Sequence, residues 1–307
     1  MMDMISVVVP AYKSRESLPL LVQRLEAVLD QPGQSFEIII VDDASPDDTW
    51  EIAKRLKDGC PRLKIARLLR NSGQHNALLC GFSIARGTIV VTMDDDLQNP
   101  PEEVPKLVTA IKRGYDLAIG AYDRKQHSRG RNWGSRLVDN VQKRIFNLPA
   151  DFQLTSFRAV RKVVVDNVVA MGAVFPYVTS MLLSHTSRYV NVPVHHAPRP
   201  FGRSNYNMKR SLRLAFNLLL NYSSYPLYTV VALCMGAFGF SMLISAWVVW
   251  RSLDGGTLPG WASTVLAISF FNGLILLALV ILALYLLRLN QQITRSRVGF
   301  TISELHE

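Results

Sequence analysis

Thr88-Ile89-Val90-Val91-Thr92-Met93-Asp94-Asp95-Asp96-Leu97-Gln98-Asn99-Pro100-Pro101 holds the reading on which the rest of the chain turns. A short β-branched run ends in three consecutive carboxylates, and the prolines then open a helical pattern over Glu102 to Ile111. The same order of strand, then helix, recurs on the N-terminal side. Ile5 to Val9, Glu37 to Val41, Leu63 to Leu68 and, beyond the quoted stretch, Asp116 to Gly120 read as strands. Leu18, Leu21, Val22, Leu25 and Val28 recur at helical spacing, and Thr49 to Leu56 and Gln74 to Ala85 do likewise. Alternating elements with nearly continuous apolar strands predict an α/β domain with a mainly parallel sheet covered on both faces. In such sheets ligands bind beyond the carboxyl ends of the strands. Asp42 and Asp43 follow the second strand, as Asp94, Asp95 and Asp96 follow the fourth. Either cluster alone reads equally well as solvated loop acids; at equivalent positions on one sheet edge they point to a site. Carboxylates two apart in a turn, Asp94 and Asp96, suit a hard divalent cation (Mg²⁺ or Mn²⁺) that leaves coordination positions for diphosphate oxygens.

The 307 residues divide in character near position 200. Residues 1–200 read as a catalytic domain. Residues 201–225 hold a loop and a pattern, Met208 to Asn221, with Leu212, Phe216 and Leu219 on one face and Lys209, Arg210 and Arg213 off it, as in a helix lying in a membrane interface. Residues 226–288 contain two runs without Asp, Glu, Lys or Arg, Leu227 to Trp250 and Ala262 to Leu287, of 24 and 26 residues. Each is long enough to span a bilayer core. The linker between them, with Gly255, Gly256, Pro259 and Gly260, predicts a hairpin, and residues 289–307 a tail. Lys and Arg flanking the hairpin place the catalytic domain and both ends in the cytoplasm, at an inner or plasma membrane. The N-terminus has no basic-then-apolar export pattern. Cys60, Cys80 and Cys234 make neither a disulfide framework nor a metal spacing.

The net charge of +10 concentrates in Arg124 to Arg144, with seven basic residues against Asp139, and in Arg199 to Arg213, with five against none. Beside membrane helices such patches face anionic lipid or a phosphorylated substrate more simply than a nucleic acid.

Several ordered motifs carry a family resemblance over almost the whole chain: Val7-Val8-Val9-Pro10-Ala11-Tyr12, Val41-Asp42-Asp43-Ala44-Ser45-Pro46-Asp47-Asp48-Thr49, Arg70-Asn71-Ser72-Gly73-Gln74-His75-Asn76-Ala77, Asp94 to Pro101, Asp151 to Arg158, and Val192 to Tyr206. Together they resemble family 2 glycosyltransferases of the polyprenyl-phosphate branch. That branch includes dolichyl-phosphate mannose synthase, the bactoprenol glucosyltransferases and the undecaprenyl-phosphate formamido-arabinose transferases.

The resemblance implies a GT-A type nucleotide-diphospho-sugar transferase fold, a homo-oligomer, and a set of roles. Pro10, Tyr12 and Asp43 match the base-binding group, with Asp42 supporting the loop. Asp94 and Asp96 match the metal and diphosphate positions. Asp95 stands where the branch commonly has alanine; it is grouped with the nucleotide-binding acids, its own carboxylate reading as pointing to solvent. Asp151 matches an acceptor-side acid, either a general base or an orienting residue, with an N-cap of a following helix as the structural alternative. A base is hardly required, because a phosphate monoester is largely ionised near neutral pH, its second pKa being about 6. Arg124 and Arg131 match the acceptor-phosphate region. Arg199, Arg203 and Ser204 match a loop over the diphosphate, in which Asn205 replaces the usual lysine. His195 and His196, read as adjacent strand residues, point to opposite faces and do not form a metal pair.

The expected reaction is inverting transfer of a sugar from a nucleotide diphosphate to a polyprenyl phosphate. A UDP-sugar leads, with glucose first and UDP-formamido-arabinose or GDP-mannose as alternatives. A processive polysaccharide synthase would bring a Gln-x-x-Arg-Trp signature and more spans, and the sequence has neither. A catalytically silent nucleotide-binding membrane scaffold is the competing reading of a different class.

Overall fold

The computed structural model describes residues 3–122, 143–146, 148–171, 176–198, 261–294 and 299–307, with 229, 232, 233, 236, 239 and 243 singly. They fall into two compact units. One comprises Met1–Arg213 together with Arg295–Glu307, the other Leu214–Thr294.

The first unit is built on one eight-stranded sheet: β1 (Ile5–Ala11), β2 (Phe36–Asp42), β3 (Leu63–Leu68), β4 (Ile89–Thr92), β5 (Leu117–Tyr122), β6 (Arg158–Arg161), β7 (Tyr189–Val194) and β8 (Ile302–His306). The order across the sheet is β7-β5-β6-β4-β1-β2-β3-β8. β4, β1, β2 and β3 are parallel, and β1 and β2 are buried along their whole length. Helices α1 (Leu18–Leu29), α2 (Thr49–Gly59), α3 (Gln74–Ile84) and α4 (Val104–Lys112) connect them. Crossovers of this kind return each strand in the same direction, so β1, β2, β4 and β5 end on one edge, where the acids lie. The parallel core expected from the sequence is therefore present.

The sheet is more mixed than expected. β6 runs antiparallel between β4 and β5. Arg158–Arg161 is only four residues long and carries an arginine at each end, so its composition does not mark it as a central strand. The second departure is at the other edge. Residues 289–307 read as a tail, yet Ile302–His306 pairs antiparallel with β3, Leu68 opposite Ile302 and Ile65 opposite His306. His195 and His196 follow β7 rather than lying in it, so the opposite-faces argument does not apply; the His196 ring packs against Tyr122 at a tilt of 60° with centroids 4.3 Å apart. No helix follows Asp151 directly. The chain runs extended to β6, which removes the N-cap alternative.

Close packing of α3 on the sheet depends on Gly81, because a Cβ there would overlap Cγ1 of Val8 in β1. Gly81→Ala is expected to cost about 1–3 kcal/mol by overpacking, seen as a lower melting temperature of the purified chain.

In the second unit Trp261–Thr294 is one helix of 34 residues, about 50 Å at 1.5 Å per residue. Ile268, Ile275, Leu279, Val280 and Leu286 along it are more than half exposed. Several of its side chains lie outside the description, and among the described residues no helix is long and apolar enough to cross a membrane. The interface helix expected over Met208 to Asn221 lies outside the described residues.

Candidate active site

A cleft of about 450 Å³ opens at the carboxyl edge of the sheet, lined by Pro10, Ala11, Tyr12, Asp43, Asn71, Gly73, Gln74, Asp94, Asp95 and Asp96. Each of β1 to β4 contributes its following loop. Three non-glycine residues in these loops adopt left-handed backbone, Lys13 (φ 59°), Ala44 (φ 53°) and Leu97 (φ 60°). Such conformations cost energy and persist where the surroundings impose them, commonly at functional sites. Leu97 is held there by burial in the core while the acids before it face the cleft.

Tyr12 leaves its ring 45% exposed at the mouth. Asp43 is buried and accepts from two backbone amides, Ser72 N–H at 2.7 Å and Gly73 N–H at 2.8 Å. Burial, reinforced by the neighbouring Asp42, outweighs those bonds and holds its pKa above the usual carboxylate value. Asp42, fully buried, accepts from the Ser45 amide at 3.1 Å and lies 3.4 Å from Arg67 Nε. It faces away from the lining and fixes the turn.

The three acids after β4 differ in their partners. Asp94 accepts from Gln74 Nε2 at 2.7 Å and from the Ser156 hydroxyl at 2.5 Å. Burial, with Asp96 adding its charge, raises its pKa against Ser156, Arg158 and Gln74. Asp96 accepts from the Gln98 amide at 3.1 Å. Asp95 is not the solvent-facing residue expected from the sequence. Its carboxylate accepts from the Ser14 hydroxyl and, at 3.4 Å, from the Tyr12 amide. Burial and the charges of Asp94 and Asp96 push its pKa up to about 6, against the bonds from Ser14 and Tyr12. Asp95 thus ties the loop after β4 to the loop after β1. Crowded carboxylates are a donor set that a hard cation stabilises. Among the described residues no group of three or more His, Cys, Asp or Glu is placed to hold a metal by itself.

Behind Asp94 lies a residue the sequence did not single out. Arg158 is 2% exposed; its Nε donates to the Thr92 hydroxyl (3.2 Å) and the Ser156 carbonyl (3.3 Å), and Nη1 to the Thr179 hydroxyl (2.9 Å). Burial lowers its pKa to about 10, with Tyr177 and Asp94 opposing, so it stays cationic at neutral pH. Nothing in a lone arginine between apolar residues announces this role.

Asp151 is exposed on a turn and is not part of the cleft lining. Arg124, Arg131, Arg199, Arg203 and Ser204 lie outside the described residues.

The model for "Glycosyl transferase family 2" matches residues 6–169, which include every acid of the cleft. The chain belongs to glycosyl transferase family 2. As a member of that family it is a glycosyltransferase. It is 33% identical to the undecaprenyl-phosphate 4-deoxy-4-formamido-L-arabinose transferase of Pseudomonas syringae pv. syringae (strain B728a), over 98% of this chain and 90% of the relative. The enzyme of that name from Pseudomonas paraeruginosa (strain DSM 24068 / PA7) is 34% identical, over 99% of this chain and 90% of its own. Among solved structures, glucosyl-3-phosphoglycerate synthase from Mycobacterium tuberculosis in complex with Mn²⁺, uridine diphosphate and glucosyl-3-phosphoglycerate superposes with a TM-score of 0.54. That match covers 71% of this chain and 78% of the synthase at 19% identity. At that identity the likeness is one of fold alone.

Proposed function

We propose that this family 2 enzyme transfers a sugar from UDP to undecaprenyl phosphate or a similar polyprenyl phosphate, inverting the anomeric carbon. The observation that carries the reading is the cleft, in which an exposed aromatic ring, a buried carboxylate and a carboxylate cluster line one continuous wall. Full-length similarity to two named undecaprenyl-phosphate transferases supports the acceptor. The sugar is 4-deoxy-4-formamido-L-arabinose. Glucose, which led in the sequence reading, rested on the branch as a whole and gives way to the relatives' common substrate.

In this reading Tyr12 stacks on the base, and Asp43 accepts from a ring N–H with lone pairs its two amides leave free. Asp94 and Asp96 hold a Mg²⁺ or Mn²⁺, with Gln74 and Ser156 orienting Asp94. When bound, the cation neutralises charge that develops on the departing diphosphate. A phosphate oxygen of the lipid attacks the anomeric carbon in line as the bond to UDP breaks. The acceptor arrives ionised, so the chain's work is positioning and charge stabilisation. Arg124, Arg131 and Asp151 on the acceptor side, and Arg199, Arg203 and Ser204 over the diphosphate, are proposed on resemblance.

Membrane attachment is part of the proposal. The chain leaves the first unit after Arg213 and has rejoined it by Arg295. A segment that departs from and returns to one domain and crosses a bilayer does so an even number of times, which is consistent with a hairpin of the two charge-free runs Leu227 to Trp250 and Ala262 to Leu287, proposed from the sequence.

The test is release of nucleoside diphosphate by purified full-length chain given Mn²⁺, a short-chain polyprenyl phosphate and, in turn, the UDP-linked formamido-arabinose and UDP-glucose, which would release UDP, and GDP-mannose, which would release GDP. Release is expected only with lipid and cation present, and fastest with the formamido sugar. No release with any donor supports the silent scaffold instead. Asp95→Ala frees Ser14 and the Tyr12 amide, and is expected to raise the donor KM about tenfold while kcat falls less. An unchanged KM would show that the tie between the two loops is not needed for donor binding.

A further inference from the structure

The last residues of the chain reach the back of the cleft wall. The Leu69 amide donates to the Thr301 carbonyl at 2.8 Å, and the Ser303 hydroxyl to the Arg67 carbonyl at 3.1 Å. Arg67 sits between Asp42, at 3.4 Å, and Glu304, at 4.0 Å. Just before β8, Gly299 approaches the Asn76 carboxamide so closely that a Cβ would overlap Asn76 Oδ1. That oxygen is buried without a hydrogen-bond partner, while Nδ2 of the same group donates to the Ser72 carbonyl at 2.7 Å. Ser72 and Gly73 in turn give their amides to Asp43. Their neighbours Asn71 and Gln74, with Gly73, form the cleft wall, and Gln74 reaches Asp94.

We propose that Gly299 to Thr301 is a positioning clasp for the donor site: it presses on Asn76, in the first turn of α3, and on Leu69 from outside and so fixes the 69–73 loop whose amides set Asp43. The inference rests on the reading of the cleft as a nucleotide site. Two features separate it from mere edge pairing. The contact at Gly299 lies before the strand begins, so the ladder does not need it. It also falls on a carboxamide whose other end holds the very peptide that hydrogen-bonds Asp43. Glycine is required there for closeness of approach.

The experiment uses full-length chain in detergent, with UDP and Mn²⁺ as the probe. Gly299→Ala drives a methyl into Asn76 and is expected to weaken UDP binding about tenfold, with donor KM rising and kcat at saturating donor within about threefold of wild type. Asn76→Ala removes the group that the methyl strikes. In that background Gly299→Ala is expected to add less than about a twofold further loss, the non-additivity of contacting residues. Native-state amide exchange at Ser72 and Gly73 should accelerate in Gly299→Ala. Wild-type affinity in Gly299→Ala, or an equal loss with and without Asn76, overturns the clasp. Should wild-type chain bind no UDP, the donor-site reading fails; the exchange data then decide the clasp, and unaltered exchange in Gly299→Ala overturns it.

Discussion

Asp94→Asn and Asp96→Asn are each expected to lower sugar transfer by about a thousandfold, a loss comparable to removing a principal electrostatic stabiliser of a transition state. The effect at Asp94 has two sources. A carboxylate accepts at both oxygens, and both are occupied by donors, Gln74 Nε2 and the Ser156 hydroxyl. An asparagine presents an N–H₂ to one of them, so the Ser156 hydroxyl must turn from donor to acceptor to keep its bond, and the orientation of residue 94 changes as a charge is lost. At Asp96 the carboxylate accepts from the Gln98 amide, so the deficit there falls mainly on cation binding. The two variants should therefore separate: excess Mn²⁺ recovers more activity in Asp96→Asn than in Asp94→Asn. Steady-state kinetics over a Mn²⁺ series checks this, and near-normal turnover in either variant would remove that residue from the cation site.

Arg158→Leu is expected to destabilise the first unit by about 3 kcal/mol, since a buried charged donor is lost and its acceptors are stranded. For a unit of this size that lowers the melting temperature by roughly 6–12 °C. The guanidinium bridges Thr92 at the end of β4, Ser156 ahead of β6, and Thr179. Leucine fills part of the volume and satisfies none of the three. Because Ser156 also orients Asp94, transfer should fall at least tenfold, in the range seen when the support of a metal ligand is removed. Arg158→Lys keeps the charge without the fork and should fall between wild type and Arg158→Leu in both respects. A melting temperature within a degree of wild type in Arg158→Leu would mean that these bonds do not hold the site together.

The carboxyl-edge acids were legible because sheet physics singles out that position: an apolar run followed at once by Asp42-Asp43 or Asp94-Asp95-Asp96 has its acids where β1, β2 and β4 end together. What was illegible has a common cause, pairing between residues distant in sequence. Asp95 looked solvent-facing because its partner, Ser14, is 81 positions away. Arg158 was not singled out because its hydroxyl partners, Thr92 and Thr179, come from β4 and from the helix Val178–Ser184. Ile302-Ser303-Glu304-Leu305-His306 is short, follows a basic stretch and sets its two apolar residues three apart instead of alternating, so only its meeting with β3 shows that it belongs to the sheet.

That meeting also sets an order of events during synthesis. Ser303 and its partner Arg67 are 236 positions apart, and ribosomes add roughly 5–20 residues per second. The outer edge of β3 therefore waits roughly 10–50 s for the strand that covers it, with its unpaired backbone open to any other extended chain. Everything proposed to enter the lipid emerges within that interval. The sheet is therefore still incomplete while those residues are being made, and β8, translated after them, closes it, so a product truncated before Ile302 is left adhesive along one side.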